Sequence, residues 1–487
     1  MMQSSNQNCN TFQSVVGIFL HSCNTPETAI DLLSRLGVSV SSKTISNATH
    51  SLSREAERGM KKLGHTLLAG YVYDNLDIDF KRSVSTVEKP QDTLVHLTTG
   101  TMLPLHHINL DDLDCADKLW KISPLNPEFK RSNLTPIPDN GLYNIHPEES
   151  HASGLTRRQR FNAWKFRYDL VNFGPEYFRR FSKKLGRPEE VEVIPRTKSA
   201  QVPLRALDIS PSSPLGNADA LKAFFRQAGI GDPSDEPEAK VKEINNTVVL
   251  VFGDLLTGQH VRSLLESRSV EKTPWRRLQF VVFVMGLFHL KMACADAIWR
   301  VFIYPKKSGS DKNSLMGYIQ QIRPKETQRI KSKPGFRRMH EVIQHVGIVS
   351  RLDIWRLASG KQNGTEYHTL DDFAKSEPDW KSILELSEQI VLDGEKEGPM
   401  NRLRMKKPLE RDQQHENEHL LQQIFLLYEE MSYSMNNCDI GRVETLFLPW
   451  MDIFLGCGKH KYAAEMQRYL ENVHFYYPKG LRYVLDS

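Results

Sequence analysis

The chain is poor in cysteine. Six occur in 487 residues, as Cys9, Cys23, Cys115, Cys294, Cys438 and Cys457, and none forms a CxxC pair. That scatter argues against a disulfide framework and a cysteine-built zinc site, so reduced thiols in an intracellular compartment are expected. Long apolar runs are also lacking. The most apolar stretch, Leu278 to Leu290, is too short to span a bilayer and is followed by Lys291, so a buried strand accounts for it and no membrane partner is expected. The N-terminus has no basic region ahead of its short apolar run and does not read as a secretory signal. Charge of one sign is not in excess: 64 Lys and Arg against 59 Asp and Glu leave a formal net charge of +5, too mild to imply a polyanion partner by itself. The P-loop, GxSxG, HExxH and GxGxxG signatures are absent, which leaves those enzyme classes unsupported. So are internal repeats and low-complexity tracts.

What is present is a globular composition, 39% hydrophobic and 25% charged, long enough for two or three domains. Residues 26–58 predict two helices, one from Pro26 to Leu36 and one through Ile45, Ala48 and Leu52 capped at Ser41 or Ser42. Separated by Gly37, they have the outline of a helix-turn-helix and equally of a plain helical hairpin. Residues 67–80 and 93–103 predict strands. Val248 to Phe252 predicts a strand covered on both faces and ending at Gly253-Asp254. A helix at His260 to Ser269, a strand at Leu278 to Met285 and a helix at His289 to Arg300 follow. After a loop at 305–313 the chain reads as helical, for example at Met339 to Leu357, Trp380 to Leu392 and His415 to Met435. The expected fold is mixed α/β and helix-rich: an N-terminal helical region over 1–62, an α/β core over 63–304 with an insertion at 105–240, and a mostly helical region over 305–487.

Three acids are placed for chemistry. Asp74 lies near the end of the first strand, Asp254 ends a later buried strand, and Glu465 sits on a late helix. Acids at strand ends are where open α/β sheets place ligand-binding groups. Three carboxylates converging on one point would hold Mg²⁺ or Mn²⁺ for phosphoryl transfer. The order of elements is compatible with an RNase H-like core. Taken singly, each acid is equally a helix cap, a turn or a solvated loop residue. His289 is a general acid–base, a ligand or a satisfied core histidine. Residues 156–187 interleave Arg157, Arg158, Arg160, Lys165, Arg167, Arg179, Arg180, Lys183 and Lys184 with aromatics such as Phe161, Trp164, Phe178 and Phe181. Guanidinium groups bind phosphate and aromatic faces stack on bases, so this segment is the candidate nucleic-acid contact. The other reading is an amphipathic helix with core aromatics and solvated charges. Residues 402–407 are a weak nuclear-targeting candidate.

The stretches at 71–107, FGDLLTGQHVRSLLESR (252–268), TPWRRLQFVVFVMGLFHLKMACADAIWR (273–300) and CDIGRVETLFLPWMDIFLGCGKHKYAAEM (438–466) closely resemble the family filed as domain of unknown function 6589, expanded in mushroom-forming fungi. The family has no established activity, so the resemblance implies little about function. More distant members look similar at Asp74-Asn75, Gly253-Asp254, His289 and His460 to Glu465, although the last lacks a spacer residue of the family's pattern. Family members continue past Ser487, so the chain reads as a fragment or a shortened gene product. The resulting expectation is a transposon-derived protein that meets DNA and works in the nucleus. The alternative is a non-enzymatic nucleic-acid-binding or scaffold protein that keeps the fold and has lost the chemistry.

Overall fold

The computed structural model describes residues 10–79, 94–235, 237, 240–305, 314–362, 369–396, 405 and 407–486. Of the basic run at 402–407 only Met405 and Lys407 fall within this range, and the loop at 306–313 lies outside it.

In chain order, the first elements are α1 (Thr11–Ser22), α2 (Glu27–Arg35), α3 (Ser42–Gly64), β1 (Ala69–Asp79) and β2 (Leu94–Pro104). Then come α4 (Arg157–Phe173), β3 (Val202–Pro203), α5 (Pro214–Ala228), β4 (Val249–Gly253), α6 (Leu255–Arg268), β5 (Val281–Met285) and α7 (Leu287–Phe302). The last are α8 (Gly335–Gln362), α9 (Trp380–Lys396), α10 (Gln413–Asn436), α11 (Ile440–Gly456) and α12 (His460–Glu471). Shorter helices are named by their residues. The chain divides into two compact units, Met1–Phe129 with Lys198–Val284, and Lys130–Thr197 with Met285–Ser487.

The first unit is built on an open five-stranded sheet in the order β3-β2-β1-β4-β5. Strands β1 and β2 pair antiparallel along their full length, from Ala69 opposite Pro104 to Asp79 opposite Leu94. Strand β3 is antiparallel to β2, and β4 runs parallel to β1 with Tyr71 beside Val251 and Val72 beside Phe252. Alternation along β1 sends Tyr71 and Tyr73 to one face. There they meet α5, with Tyr71 edge-on to Phe225 at 5.2 Å and Tyr73 against Phe224 at 5.9 Å. Helix α5 starts at the Ser213 cap with Pro214 in its first turn and stops at Gly229 in the left-handed region, φ 70°. It touches α3 so closely that a Cβ on Gly64 would lie 2.1 Å from the Ala228 carbonyl oxygen. Among the described residues the N-terminal region holds three helices, one more than the two expected over 26–58. Helix α1 forms where only a short apolar run was legible, because Leu20 packs on the small core of Ile30, Val40 and Ile45.

The second unit is helical. The Thr156 capping box, with Gln159 reaching back, starts α4. Several aromatics of the 156–187 segment are core: Phe166, Phe178 and Phe181 cluster with Leu170, Trp355, Phe373, Ile383 and Leu386. At its centre is a closed ring of four charges. Arg351 on α8 bonds Asp169 on α4 (2.5 Å) and Glu429 on α10 (2.6 Å). Lys165 on α4 completes the ring, 2.8 Å from Asp169 and 2.9 Å from Glu429. Arg351 and Asp169 are wholly buried.

Removing one member of such a ring leaves an uncompensated buried charge. Arg351→Met is therefore expected to cost about 3–5 kcal/mol of stability in denaturant unfolding. A loss under about 1 kcal/mol would show the ring to be incidental. Burial works against ionisation of Glu429, but Arg351 and Lys165 outweigh it and hold the carboxyl below its usual range. A depressed folded pKa gives stability that is present above the unfolded value, about 4.3, and lost as pH falls through the folded one. Acid unfolding should consequently show a limb below about pH 4 that Glu429→Gln removes.

Candidate metal centre

Two of the expected acids belong to the sheet unit, but Asp74 lies midway along the 11-residue β1 rather than near its end, because the ladder with β2 runs on to Asp79. The β1–β4 register pairs Tyr71 with Val251 and Val72 with Phe252, and Asp254 follows directly on the end of β4. Asp74 is exposed, and its Oδ1 accepts from the Asn75 amide at 2.8 Å. Asp254 caps α6, its Oδ1 accepting from the Thr257 amide at 2.7 Å. The Tyr73 hydroxyl donates to Asn217 at 2.7 Å. Burial, reinforced by the Asp254 charge, pushes that phenol's pKa up.

The other expected residues belong to the helical unit. Glu465 lies on α12, buried and paired with Arg468 at 2.8 Å. His289 is half-buried in the first turn of α7, its ring edge-on to Phe288. Of the basic residues, Arg157 and Arg160 meet Glu189, Arg158 faces Glu430 at 3.7 Å, and Lys165 belongs to the buried ring. Arg167 donates to the Ser387 hydroxyl, and burial brings its pKa down to about 10. Arg179, Arg180, Lys183 and Lys184 are exposed, with Arg180 over the Tyr177 ring at 5.1 Å and Lys184 over Phe181 at 6.0 Å.

A third group was not anticipated. His146, Glu444 and His474 present ligand atoms that all lie within 4.8 Å of one another. Both imidazoles donate through Nε2 to one carboxylate oxygen, Glu444 Oε2, at 2.6 Å from His146 and 2.8 Å from His474. The rings stand edge to face, 5.7 Å apart. A second carboxylate, Glu192, sits 3.9 Å from the opposite ring nitrogen of His146.

The local fold explains the convergence. Glu444 is in the first turns of α11, flanked by the core residues Val443, Leu446 and Phe447. His474 lies in a π turn, Asn472–Tyr476, that continues α12, and such turns re-aim side chains at functional sites. The His146 carbonyl accepts from Arg157 at 3.3 Å. Asp439 caps α11 and also accepts from the Glu192 amide at 3.1 Å, while Gly441 donates to the Glu192 carbonyl at 3.2 Å. Arg442, wholly buried, holds Asp439 (3.4 Å) and Glu430 (2.7 Å) and donates to the Glu189 carbonyl. The strand-like segment at 189–194 is thereby fastened to the start of α11.

Electrostatically the centre is anionic. Burial opposes the charge on Glu444, but hydrogen bonds from His146 and His474 hold its carboxyl below the usual range. Asp486, on the last described turn, is pushed up to about 6 by burial and by the Glu444 and Glu192 charges. One oxygen of Glu444 and one of Asp486 are buried without a hydrogen-bond partner. Two imidazoles and a carboxylate at this spacing can hold a divalent ion. The cluster left no motif in the sequence, since its members are 298 and 30 residues apart. The available signal was a glutamate among the apolar positions of α11, a charge on a core face.

The chain belongs to the Family of unknown function (DUF6589), which it matches over residues 136–486. His146, Glu192, Asp254, His289, Glu444, Glu465, His474 and Asp486 all lie within that match, whereas Asp74 precedes it. No curated protein and no solved structure matches the chain. No helix among the described residues is long and apolar enough to cross a membrane.

The fastening of the 189–194 segment yields a test. A Cβ on Gly441 would lie 2.6 Å from Glu192 Cβ and 2.9 Å from its backbone nitrogen. Gly441→Ala is expected to displace that segment and cost about 1–3 kcal/mol, read in chemical unfolding. Unchanged stability would mean that the packing there is not tight.

Proposed function

We propose that the sheet unit is a divergent RNase H-like core of transposase ancestry, in which Asp74 and Asp254 hold Mg²⁺ or Mn²⁺ for phosphoryl transfer on nucleic acid. The observation that carries this reading is the sheet order β3-β2-β1-β4-β5. Its three antiparallel strands are joined by a fourth that lies parallel beside the first, so the strand that carries Asp74 neighbours the strand that leads into Asp254. Each carboxylate uses Oδ1 for a backbone amide, which leaves Oδ2 to face a cation. Hard oxygen ligands suit Mg²⁺ and Mn²⁺. A bound ion there would neutralise charge developing on a phosphate; the protein's part is to fix the two carboxylates, Asp74 midway along β1 and Asp254 at the cap of α6. Nucleic-acid contact then falls to the exposed Arg179, Arg180, Lys183 and Lys184, which offer a cluster of positive charge to phosphate. The working compartment on this reading is the nucleus, with DNA as the partner.

A second reading is favoured by the ordinary structural work of the two acids. Asp254 is a helix cap and Asp74 bonds its neighbour's amide. On that reading the chain is a non-enzymatic nucleic-acid-binding protein.

Incubation of the full chain with single- and double-stranded DNA and RNA in Mg²⁺ or Mn²⁺ separates the two. The first reading expects metal-dependent cleavage that Asp74→Asn and Asp254→Asn each reduce at least about 100-fold. Asn at 254 still caps the helix, so lost activity would not reflect lost fold. Binding without cleavage would favour the second reading. In either case, replacing Lys183 and Lys184 with Ala should weaken binding at all sequences and reduce the salt slope by about 1 for each phosphate no longer neutralised. An unchanged slope would sink the assignment of this surface.

A further inference from the structure

We propose that His146, Glu444 and His474 bind a zinc ion, with Glu192 orienting the His146 ring from behind. This site is separate from the carboxylate pair of the proposed function and does not rest on it.

The donor set is the first argument. Two neutral imidazole nitrogens and one carboxylate oxygen, with a fourth position left over, are a zinc arrangement, and imidazole is a poor partner for Mg²⁺. The geometry is the second. A tetrahedral zinc with ligands at about 2.0–2.1 Å holds them roughly 3.3 Å apart. The two nitrogens already stand 2.6 and 2.8 Å from Glu444 Oε2, so an outward shift of well under 1 Å opens the space. The third argument is the unanswered chemistry. The side chains of Glu444 and His474 are 1% and 4% exposed, and Glu444 Oε1 is buried with no hydrogen-bond partner. The two imidazole N–H donors account for Oε2 alone. Asp486 Oδ1 is also unpartnered, in a side chain 5% exposed. A cation satisfies a buried, anionic, under-donated pocket where hydrogen bonds have not.

Glu192 supplies the fourth argument. A metal-bound histidine almost always directs its other ring nitrogen to a carboxylate or carbonyl, which fixes the tautomer and raises its basicity. With Nε2 of His146 aimed at Glu444, its Nδ1 faces Glu192 Oε2 at 3.9 Å. Glu192 is itself pinned to the cap of α11 through its backbone. Glu444 thus comes from a packed helix and His474 from the π turn that continues α12, while the His146 and Glu192 segments are tied down through their backbones by Arg157 and by Asp439.

The experiment is metal analysis of the full chain after chelator treatment, dialysis against zinc and removal of excess, followed by affinity measurement against a chromophoric chelator. One tightly held zinc per chain is expected. His146→Ala and His474→Ala should each weaken binding at least about 100-fold, and Glu192→Gln about 10–100-fold. Zinc should raise the unfolding temperature of the unaltered chain but not that of Glu444→Gln. Asp74→Asn and Asp254→Asn should leave the zinc content unchanged, which separates failure here from failure of the proposed function. No tightly bound zinc in the unaltered chain, or zinc content indifferent to His146→Ala and His474→Ala, overturns the assignment. Selective retention of iron in place of zinc overturns it as well. The unaltered chain alone decides the first of these outcomes, so a variant that fails to fold does not rescue the proposal.

Discussion

The helical unit depends on the buried ring of Lys165, Asp169, Arg351 and Glu429. Two cations and two anions cancel, and each charge meets two opposite neighbours, so α4, α8 and α10 cannot slide past one another without stranding a charge in the core. Replacing such a ring wholesale with apolar residues is often neutral in stability; its distinctive effect is to fix one arrangement. From α10 the constraint passes on. Glu430, next to Glu429, pairs with Arg442 on α11, and Arg442 also fastens Asp439 and the Glu189 carbonyl. Asp439 in turn holds Glu192, and Glu444 lies two residues beyond Arg442. The candidate metal centre is therefore the far end of a polar network that begins in the core.

That network explains which parts of the molecule were legible in the sequence. Periodicity and capping placed the longer elements within a few residues: the Val249–Gly253 strand, the Trp380–Lys396 helix and the Gln413–Asn436 helix all fall where the apolar spacing predicts. The order of elements, compatible with an RNase H-like core, would set the Asp74 strand parallel beside the strand leading into Asp254, and β1 and β4 do pair in parallel. Helix α1 was missed because its apolar face is short and Leu20 gains its apolar partners from Ile30, Val40 and Ile45 further along the chain. The interleaved segment at 156–187 was open between two readings. Several of its aromatics are core, Arg157 and Arg160 are matched to Glu189, and Lys165 to Asp169 and to the distant Glu429. Nothing local distinguishes a cation awaiting phosphate from one awaiting Glu429, 264 positions on in a sequence of 487. The His146, Glu444 and His474 cluster was invisible for the same reason.

The two candidate centres differ in ligand chemistry, and that difference assigns their roles. Asp74 and Asp254 are oxygen donors midway along a strand and at a helix cap, with Asp74 open to solvent, an arrangement suited to a hard ion exchanged along with a phosphate substrate. The His146 centre is buried, nitrogen-rich and drawn from segments almost 300 residues apart, 298 between His146 and Glu444. An ion bound there closes a long loop, and because no such site exists in the unfolded chain, its binding energy becomes folding energy. Catalytic zinc keeps an open position for water or substrate, whereas structural zinc fills all four. At 1% exposure of Glu444 and 4% of His474 there is little path for a substrate, and the Asp486 carboxyl is at hand with a buried oxygen lacking a hydrogen bond. Zinc here is best understood as a staple that ties the 146 loop, the 192 segment, α11 and the turn at Asp486 together.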